Sequence, residues 1–370
     1  MRVIMSGGGT GGHIYPAIAI ADEIKRRHPE AEILFVGTEH GMEREIVPKS
    51  GYPIKFITVR GFDRKHLLRN IDTIKELNKG IHEARKIIAD FKPDYVIGTG
   101  GYVCGPVVRS AYRAGIPSYI HEQNAFPGLT NKLLSRHVDR VFLAFDDAKS
   151  YFKCKNEPVT VGNPVRSAFT ETSREESRRA LGIKDGEFVI LGFGGSLGAK
   201  KINDEMEIAA ERFAGKEGVR VIWATGKRYY KEIMAAEHPE AENIKYMEYI
   251  NDMPRYLRAC DLVVSRSGAL TVSEITACGR PSIMIPSPYV TNNHQYYNAM
   301  VVADRGGAVV IEEKNLASGQ VAETAASLEA DPEKLELMAH MAESLGRTDA
   351  ASVICDTIGI KEAEQDESAE

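Results

Sequence analysis

The 370-residue chain has little of what marks a secreted or membrane-spanning protein. Its five cysteines (Cys104, Cys154, Cys260, Cys278, Cys355) are odd in number and show no Cys-x-x-Cys spacing. That argues against a disulfide frame or a zinc site and for a reducing compartment. No apolar run approaches the ~20 residues of a membrane span. The glycines from Gly7 to Gly12 interrupt the apolar start, so no signal peptide is expected. Charge of one sign is also scarce: 47 basic against 52 acidic residues leave −5, which gives no global attraction to nucleic acid or anionic lipid. Any basic patch must be local. No Asp-x-Asp pair occurs, so a metal-bridged grip on a diphosphate has no obvious ligands, and neither a metal nor a cofactor is expected. The expectation is a protein that is soluble or at most rests on a membrane surface.

What is there is strand, glycine turn and helix, twice. The length favours two domains, and 43% hydrophobic residues supply two cores. Arg2 to Met5 reads as a buried strand, followed by Ser6-Gly-Gly-Gly-Thr-Gly-Gly12 and a helix entered through His13 and Pro16, where proline suits a first turn. Strand-like segments recur at Ile33 to Val36, Ile54 to Val59, Tyr95 to Ile97, Ser118 to Ile120 and Arg140 to Leu143. The rhythm pauses at Val161-Gly-Asn-Pro-Val165. Phe188 to Leu191 then runs into Gly192-Phe-Gly-Gly-Ser-Leu-Gly198, with further strands at Val219 to Ala224, Leu262 to Val264, Ser282 to Ile285 and Ala308 to Ile311. Alternating strands and helices imply α/β architecture: two Rossmann-like, doubly wound parallel-sheet domains facing each other across a cleft. The expected boundaries are 1–163, 164–346, a helix at about 347–362 packing back on the first domain, and a disordered acidic tail at 363–370.

Several loops carry chemistry. In Leu262-Val-Val-Ser-Arg-Ser-Gly-Ala-Leu-Thr-Val-Ser-Glu274 a short strand breaks and a helix starts near Ala269. Backbone N–H groups and the positive end of a helix dipole meet there, in the geometry that holds a phosphate. Glu274 lies a turn and a half further in, where a carboxylate reaches the hydroxyls of a ribose. An ordinary turn capped by Ser267 is the other reading. Gly7, Gly9 and Gly12 satisfy G-x-G-x-x-G, and Glu39 follows the second strand, so a dinucleotide-binding dehydrogenase is a competing reading. The second glycine turn argues against it, because two phosphate turns in two halves suit two phosphate-bearing ligands. Gly98-Thr-Gly-Gly-Tyr-Val-Cys-Gly-Pro106 and His121-Glu-Gln-Asn124 place further polar loops after strand ends, with Tyr102 able to stack on a ligand.

Gly8-Gly-Thr-Gly-Gly-His13, Gly100-Gly-Tyr102, His121-Glu-Gln-Asn124, Gly128-Leu-Thr-Asn131, Gly162-Asn-Pro-Val-Arg166, Gly194-Gly-Ser196 and Ser265 to Glu274, in this order, resemble the MurG family. That family comprises GT-B glycosyltransferases of bacterial peptidoglycan synthesis. The resemblance runs from about Arg2 to the helix near Ala350. It implies inverting transfer of N-acetylglucosamine from UDP-GlcNAc to lipid I, giving lipid II, by a peripheral protein on the cytoplasmic face of the plasma membrane. It places Gly8, Gly9 and Tyr102 on the acceptor side, and Thr10, Gly11, Gly12 and Asn124 near the donor sugar. Arg166 and Ser196 match positions that meet the donor's phosphates, and Ile250 matches the residue whose backbone holds the uracil. Ala269, Leu270 and Thr271 match the diphosphate-binding helix start, Val272 and Ser273 further substrate-binding positions, Glu274 the ribose carboxylate and Gln295 a sugar-hydroxyl contact. Some relatives have glutamine where this chain has His294, so a donor contact there is an open question. The structurally related UDP-GlcNAc 2-epimerase type and a non-catalytic nucleotide-binding module are the remaining alternatives.

Inverting transfer needs a base for the acceptor hydroxyl and a clamp for the departing diphosphate. His13 is the first candidate base, placed after a glycine turn at the positive end of a helix, which disfavours the imidazolium. A capping or acceptor-phosphate role is the other reading of His13, and Glu122 is the second candidate base. The helix start at Ala269, with Arg166 and Ser196, supplies the clamp without metal. Finally, Arg60-Gly-Phe-Asp-Arg-Lys-His-Leu-Leu-Arg69 mixes basic and apolar residues, which suits peripheral contact with an anionic membrane; a helix packing Leu67, Leu68 and Ile71 into the core is the alternative.

Overall fold

A computed structural model describes residues 1–61, 70–166 and 168–362. Phe62 to Arg69, which carry most of the basic stretch, and the acidic tail from Ala363 lie outside the described residues. The chain folds as two units, one from Met1 to Val165 joined by the segment from Asp349 onward, the other from Arg166 to Thr348.

The N-terminal unit is built on a seven-stranded sheet in the order β3-β2-β1-β4-β5-β6-β7. The strands are β1 Arg2–Gly7, β2 Glu32–Gly37, β3 Ile54–Phe56, β4 Tyr95–Gly100, β5 Ser118–Glu122, β6 Arg140–Leu143 and β7 Val159–Thr160. Every pairing is parallel, with Val3 beside both Ile33 and Tyr95. Such a sheet is covered on both faces, so its strands are apolar throughout and successive residues feed opposite cores. Val3 and Met5 join Ile33 and Phe35 in one core, whereas Ile4 joins Leu34 and Val36 in the other.

Helix α1 (Gly11–Arg27) covers the first face through Ile14, Ala17, Ile18, Ala21 and Ile24, the apolar stripe of a 3.6-residue period. It starts at Gly11, so Pro16 stands in the second turn and not in the first. There it withholds the amide that the Gly12 carbonyl would accept. Helices α2 (Glu43–Lys49), α3 (Asn70–Phe91), α4 (Cys104–Arg113) and α5 (Leu129–Leu134) complete the unit, the last three on the opposite face.

The C-terminal unit repeats the plan with six parallel strands in the order β10-β9-β8-β11-β12-β13. These are β8 Phe188–Phe193, β9 Val219–Ala224, β10 Ile244–Met247, β11 Leu262–Ser265, β12 Ser282–Met284 and β13 Ala308–Val310. Among the described residues the helices before, between and after them are α6 Ala168–Glu171, α7 Arg174–Ala180, α8 Lys200–Phe213, α9 Tyr230–Ala235, α10 Met253–Ala259, α11 Ala269–Ala277, α12 His294–Ala303, α13 Gln320–Glu329 and α14 Pro332–Ser344. Helix α15 (Ala350–Thr357) then returns to α1. It adds Ile354, Cys355 and Ile358 to the first core, while the buried Arg27 guanidinium donates to Asp356, the Ile360 carbonyl and Ser352.

The edge strands β7 and β10 have no counterpart in the sequence reading, and β3 stops at Phe56. Edge strands are short and half exposed, so their apolar signal is weak. In both sheets the order reverses beside the first strand, between β1 and β4 and between β8 and β11. Ligands of open α/β sheets bind at the carboxyl ends of such strand pairs.

Candidate active site

At the β1/β4 reversal the glycine turn after β1 meets the glycine turn after β4 at backbone distance. Gly101 has φ +84° and a Cβ there would lie 2.3 Å from the Gly8 carbonyl oxygen. Gly100 has φ +110° and a Cβ there would lie 2.8 Å from Nδ1 of His13. Only glycine lets β4 close on the first turn in this way. Tyr102 follows, with its ring against Gly9.

The turn from Gly7 to Gly12 is closed by a side chain that the sequence reading missed. Buried Glu43 accepts from the Gly9 amide at 3.0 Å through one carboxylate oxygen. Its other oxygen accepts from the Thr38 amide at 3.0 Å and the Thr38 hydroxyl at 2.8 Å. A carboxylate of the protein's own thus stands where a dinucleotide fold would take pyrophosphate. Glu39, the residue considered for a ribose, is exposed. The available signal was a second glutamate four residues further on, at the start of α2.

His13 lies in the first turn of α1, its Nδ1 3.1 Å from the Thr99 carbonyl and 2.8 Å from Oε1 of Gln123. Both partners are acceptors, so Nδ1 carries the proton and Nε2 keeps its lone pair. Among the described residues no hydrogen bond engages Nε2. Thr10 stands at the N-cap of α1 without a side-chain cap, and its carbonyl accepts from the His13 amide.

Glu122 is differently placed. Its carboxylate is buried and accepts four hydrogen bonds, from the amide and side chain of Asn124, the Gly128 amide and the Asn131 side chain. A carboxylate has about four lone-pair sites, so this one is fully engaged. These bonds tie Glu122, the second candidate base, to the loop that carries Asn124.

At the β8/β11 reversal the loops are left open. Gly268 is the N-cap of α11, with φ −60°, ψ 145° and no side-chain hydrogen bond. Ser267, considered as the cap, donates instead to the Gln295 carbonyl at 2.8 Å. Ala269, Leu270 and Thr271 form the first turn, followed by Val272 and Ser273. Ser196 is exposed at the tip of the turn after β8, where Gly195 has φ +90° and open space around it.

Glu274 projects from the second turn of α11. Burial pushes its carboxyl up to about 7, and only the Arg166 guanidinium nearby opposes that shift. A desolvated carboxyl whose one charged neighbour is a cation is an unsatisfied acceptor for ligand hydroxyls. Gln295 is tied beside the same turn: its Oε1 accepts from the Ser287 amide at 2.9 Å, which leaves its NH2 to donate. The Nδ1–H of His294 donates to the Thr291 carbonyl at 2.9 Å. Ile250 is buried just beyond β10. Arg266 is committed elsewhere, to Glu313 at 2.6 Å and to the Ile285 and Pro286 carbonyls.

The structure thus gathers Gly8, Gly9, Thr10, Gly11, Gly12, His13, Tyr102, Glu122 and Asn124 in the N-terminal unit. Arg166, Ser196, Ile250, Ala269 to Glu274 and Gln295 belong to the C-terminal unit. Among the described residues no group of three or more His, Cys, Asp or Glu side chains could hold a metal ion. No helix among them is long and apolar enough to cross a membrane.

Comparison with known proteins agrees with this two-part arrangement. Residues 3–143 match the glycosyltransferase family 28 N-terminal domain and residues 189–354 its C-terminal domain. The UDP-N-acetylglucosamine–N-acetylmuramyl-(pentapeptide) pyrophosphoryl-undecaprenol N-acetylglucosamine transferase of Acetivibrio thermocellus is 51% identical over 97% of each chain. Its namesake from Alkaliphilus oremlandii is 52% identical over 87% of this chain and 88% of that one. The crystal structure of Acinetobacter baumannii MurG superposes with a TM-score of 0.79 at 28% identity, covering 96% of this chain and 99% of that one. A UDP-GlcNAc 2-epimerase from Neisseria meningitidis, at 15% identity and a TM-score of 0.67, shares the fold. The chain belongs to glycosyltransferase family 28 and, within it, to the MurG family of GT-B glycosyltransferases.

Proposed function

We propose that the chain catalyses inverting transfer of N-acetylglucosamine from UDP-GlcNAc to the MurNAc 4-hydroxyl of lipid I, giving lipid II for peptidoglycan. The observations that carry this reading are, in one unit, a helix start with no side-chain cap and an unsatisfied Glu274 and, in the other, a tautomerically fixed His13. The unit of residues 164–346 takes the donor. The amides at Ala269 to Thr271, with Arg166 and Ser196, hold the diphosphate and stabilise it as it leaves. Glu274 accepts from the ribose hydroxyls, the Ile250 backbone meets the uracil, and the Gln295 amide donates to a sugar hydroxyl. The unit of residues 1–163 takes the acceptor through Gly8, Gly9 and Tyr102, while Thr10 to Gly12 and Asn124 approach the donor sugar.

Nε2 of His13 removes the acceptor proton as the hydroxyl attacks the anomeric carbon from the face opposite the diphosphate. The C1–O bond to UDP breaks as the new glycosidic bond forms, and the charge on the departing phosphate meets the helix start. The dehydrogenase reading loses its phosphate turn, because Glu43 already occupies the Gly9 amide.

Peripheral contact with an anionic membrane, on the cytoplasmic face where the lipid acceptor lies, is part of the same proposal. The Phe62 to Arg69 stretch that suggested it lies outside the described residues; Arg60 at its start pairs with Glu76 of α3. A second surface supports it. Tyr112, Leu129 and Leu133 are exposed on α4 and α5. Beside them Arg109, Arg136 and Arg113 add to the burial that holds His137 below the usual imidazole range. His137 packs against Tyr112, so exposed apolar side chains and arginines occur together here, a combination that suits an anionic lipid surface.

The decisive experiment incubates the protein with radiolabelled UDP-GlcNAc and a short-chain lipid I analogue, with UDP-GalNAc as control. Label should pass to the lipid from UDP-GlcNAc alone; release of free sugar or epimer with no acceptor product would overturn the assignment.

A further inference from the structure

Three residues of the N-terminal unit form a chain of hydrogen bonds that the transfer reaction has not so far used. It starts at a carbonyl, which can only accept. Nε2 of His121 lies 2.9 Å from the Gly162 carbonyl oxygen and therefore carries a proton. His121 is completely buried, and burial pushes its imidazole down to about 4, so it is neutral and its Nδ1 can only accept. The group facing Nδ1 at 3.0 Å is Nε2 of Gln123, which also donates to the His121 carbonyl at 3.1 Å. With the amide nitrogen committed there, the amide oxygen must face the other way. It meets Nδ1 of His13 at 2.8 Å, beside the Thr99 carbonyl at 3.1 Å.

We propose that His121 and Gln123 are positioning residues that read the polarity of the Gly162 carbonyl and pass it to His13, holding Nδ1 protonated and Nε2 free to take the acceptor's proton. The alternative amide orientation would turn an NH2 toward Nδ1 of His13 and an oxygen toward Nδ1 of His121. That oxygen would require a second proton on His121, an imidazolium in a fully buried site. The relay starts just before the chain leaves the unit at Val165. Gly162 has φ +88°, and the Asn163 side chain donates to the Gln123 carbonyl at 3.1 Å, so the segment leading out of the unit also anchors the amide. No carboxylate takes part. When Nε2 receives the proton, the resulting imidazolium keeps two neutral oxygens on Nδ1, which steady the charge without capturing the proton.

This inference rests on His13 as the base, and the test separates the two. Side-chain 15N NMR on histidine-labelled protein, with His13 assigned by its loss in His13→Ala, should show Nδ1 protonated in the parent. In Gln123→Met both tautomers should be populated. The same variant should lose about 10- to 100-fold in kcat, the Thr99 carbonyl retaining part of the orientation, with the KM for UDP-GlcNAc within about two-fold. In a His13→Ala background Gln123→Met should cost nothing further. His121→Phe, which keeps the ring and removes both nitrogens, gives a second route should Gln123→Met fail to fold, and should shift the same tautomer balance. An unchanged His13 tautomer in a folded variant overturns the relay. An additive kcat loss in the double variant overturns it too. Wild-type kcat in His13→Ala would instead reject His13 as the base while the tautomer readout still judged the relay.

Discussion

The loops at the carboxyl ends of the two parallel sheets share an origin and differ in fate. In both units strand order reverses beside the first strand. In the N-terminal unit the protein satisfies the loop amides itself: Glu43 takes the Gly9 amide, and Glu122 takes those of Asn124 and Gly128. In the C-terminal unit the helix start at Gly268 has no side-chain cap, and the nearby Glu274 carboxyl is desolvated beside Arg166. An amide loop already filled by a carboxylate cannot also bind phosphate; it becomes a rigid platform for a side chain, here His13. A helix start with no side-chain cap still presents the positive end of its dipole to anions. On the proposed function, the same topology yields a catalytic half and a binding half, according to where the carboxylates stand.

The sharpest way to break this comparison is His13→Ala. Loss of a positioned base should lower kcat by roughly 10²- to 10⁴-fold while UDP affinity stays near the parent value. Equal losses in UDP affinity would show that the two halves are not functionally distinct.

Removing the brace comes next. Glu43→Ala strands the buried Thr38 amide and hydroxyl and the Gly9 amide, with an expected destabilisation of about 2–3 kcal/mol. That should appear as a lower urea midpoint. Thermal stabilisation by UDP should persist in this variant, because the binding half keeps its own loops.

The pH dependence of donor binding sharpens the comparison further. In the proposed donor mode the ribose hydroxyls donate to the Glu274 carboxylate, whereas burial favours its protonated form up to about pH 7. Binding therefore releases a proton below that pH, and UDP affinity should fall as pH drops below about 7, approaching ten-fold per unit, and level off above it. Glu274→Gln should bind more weakly at pH 8 and show a flat profile by calorimetry. A Glu274→Gln profile that kept the parent's slope would assign the titration to another group.

The smallest effects compare single glycines. Gly195→Ala meets nothing within 4 Å but must adopt φ +90°, an expected cost of about 1 kcal/mol. Gly101→Ala adds to similar strain a clash with the Gly8 carbonyl and should melt at a lower temperature than Gly195→Ala. Equal melting temperatures would mean that the two N-terminal turns do not touch.

Much of this arrangement follows from local sequence. Alternating apolar strands and glycine turns require two parallel sheets, since an apolar strand must be covered on both faces and a glycine turn must precede a closely packed helix. The start of α11 at Ala269 and the depth of Glu274 follow from the strand, break and helix pattern alone. Edge strands β7 and β10 lacked that signal because they are short and mostly only partly buried. The roles of the carboxylates were decided only in three dimensions. Glu39, Glu43, Glu122 and Glu274 are alike in sequence, yet one is exposed, two are saturated by loop amides and one is left unsatisfied. For Glu43 the difference arises because its bond to the Gly9 amide, 34 positions away, depends on which strand ends the sheet brings together. The proton on His13 has the same character: one carbonyl at Gly162 dictates it from 149 positions away, through two side chains that the fold alone aligns.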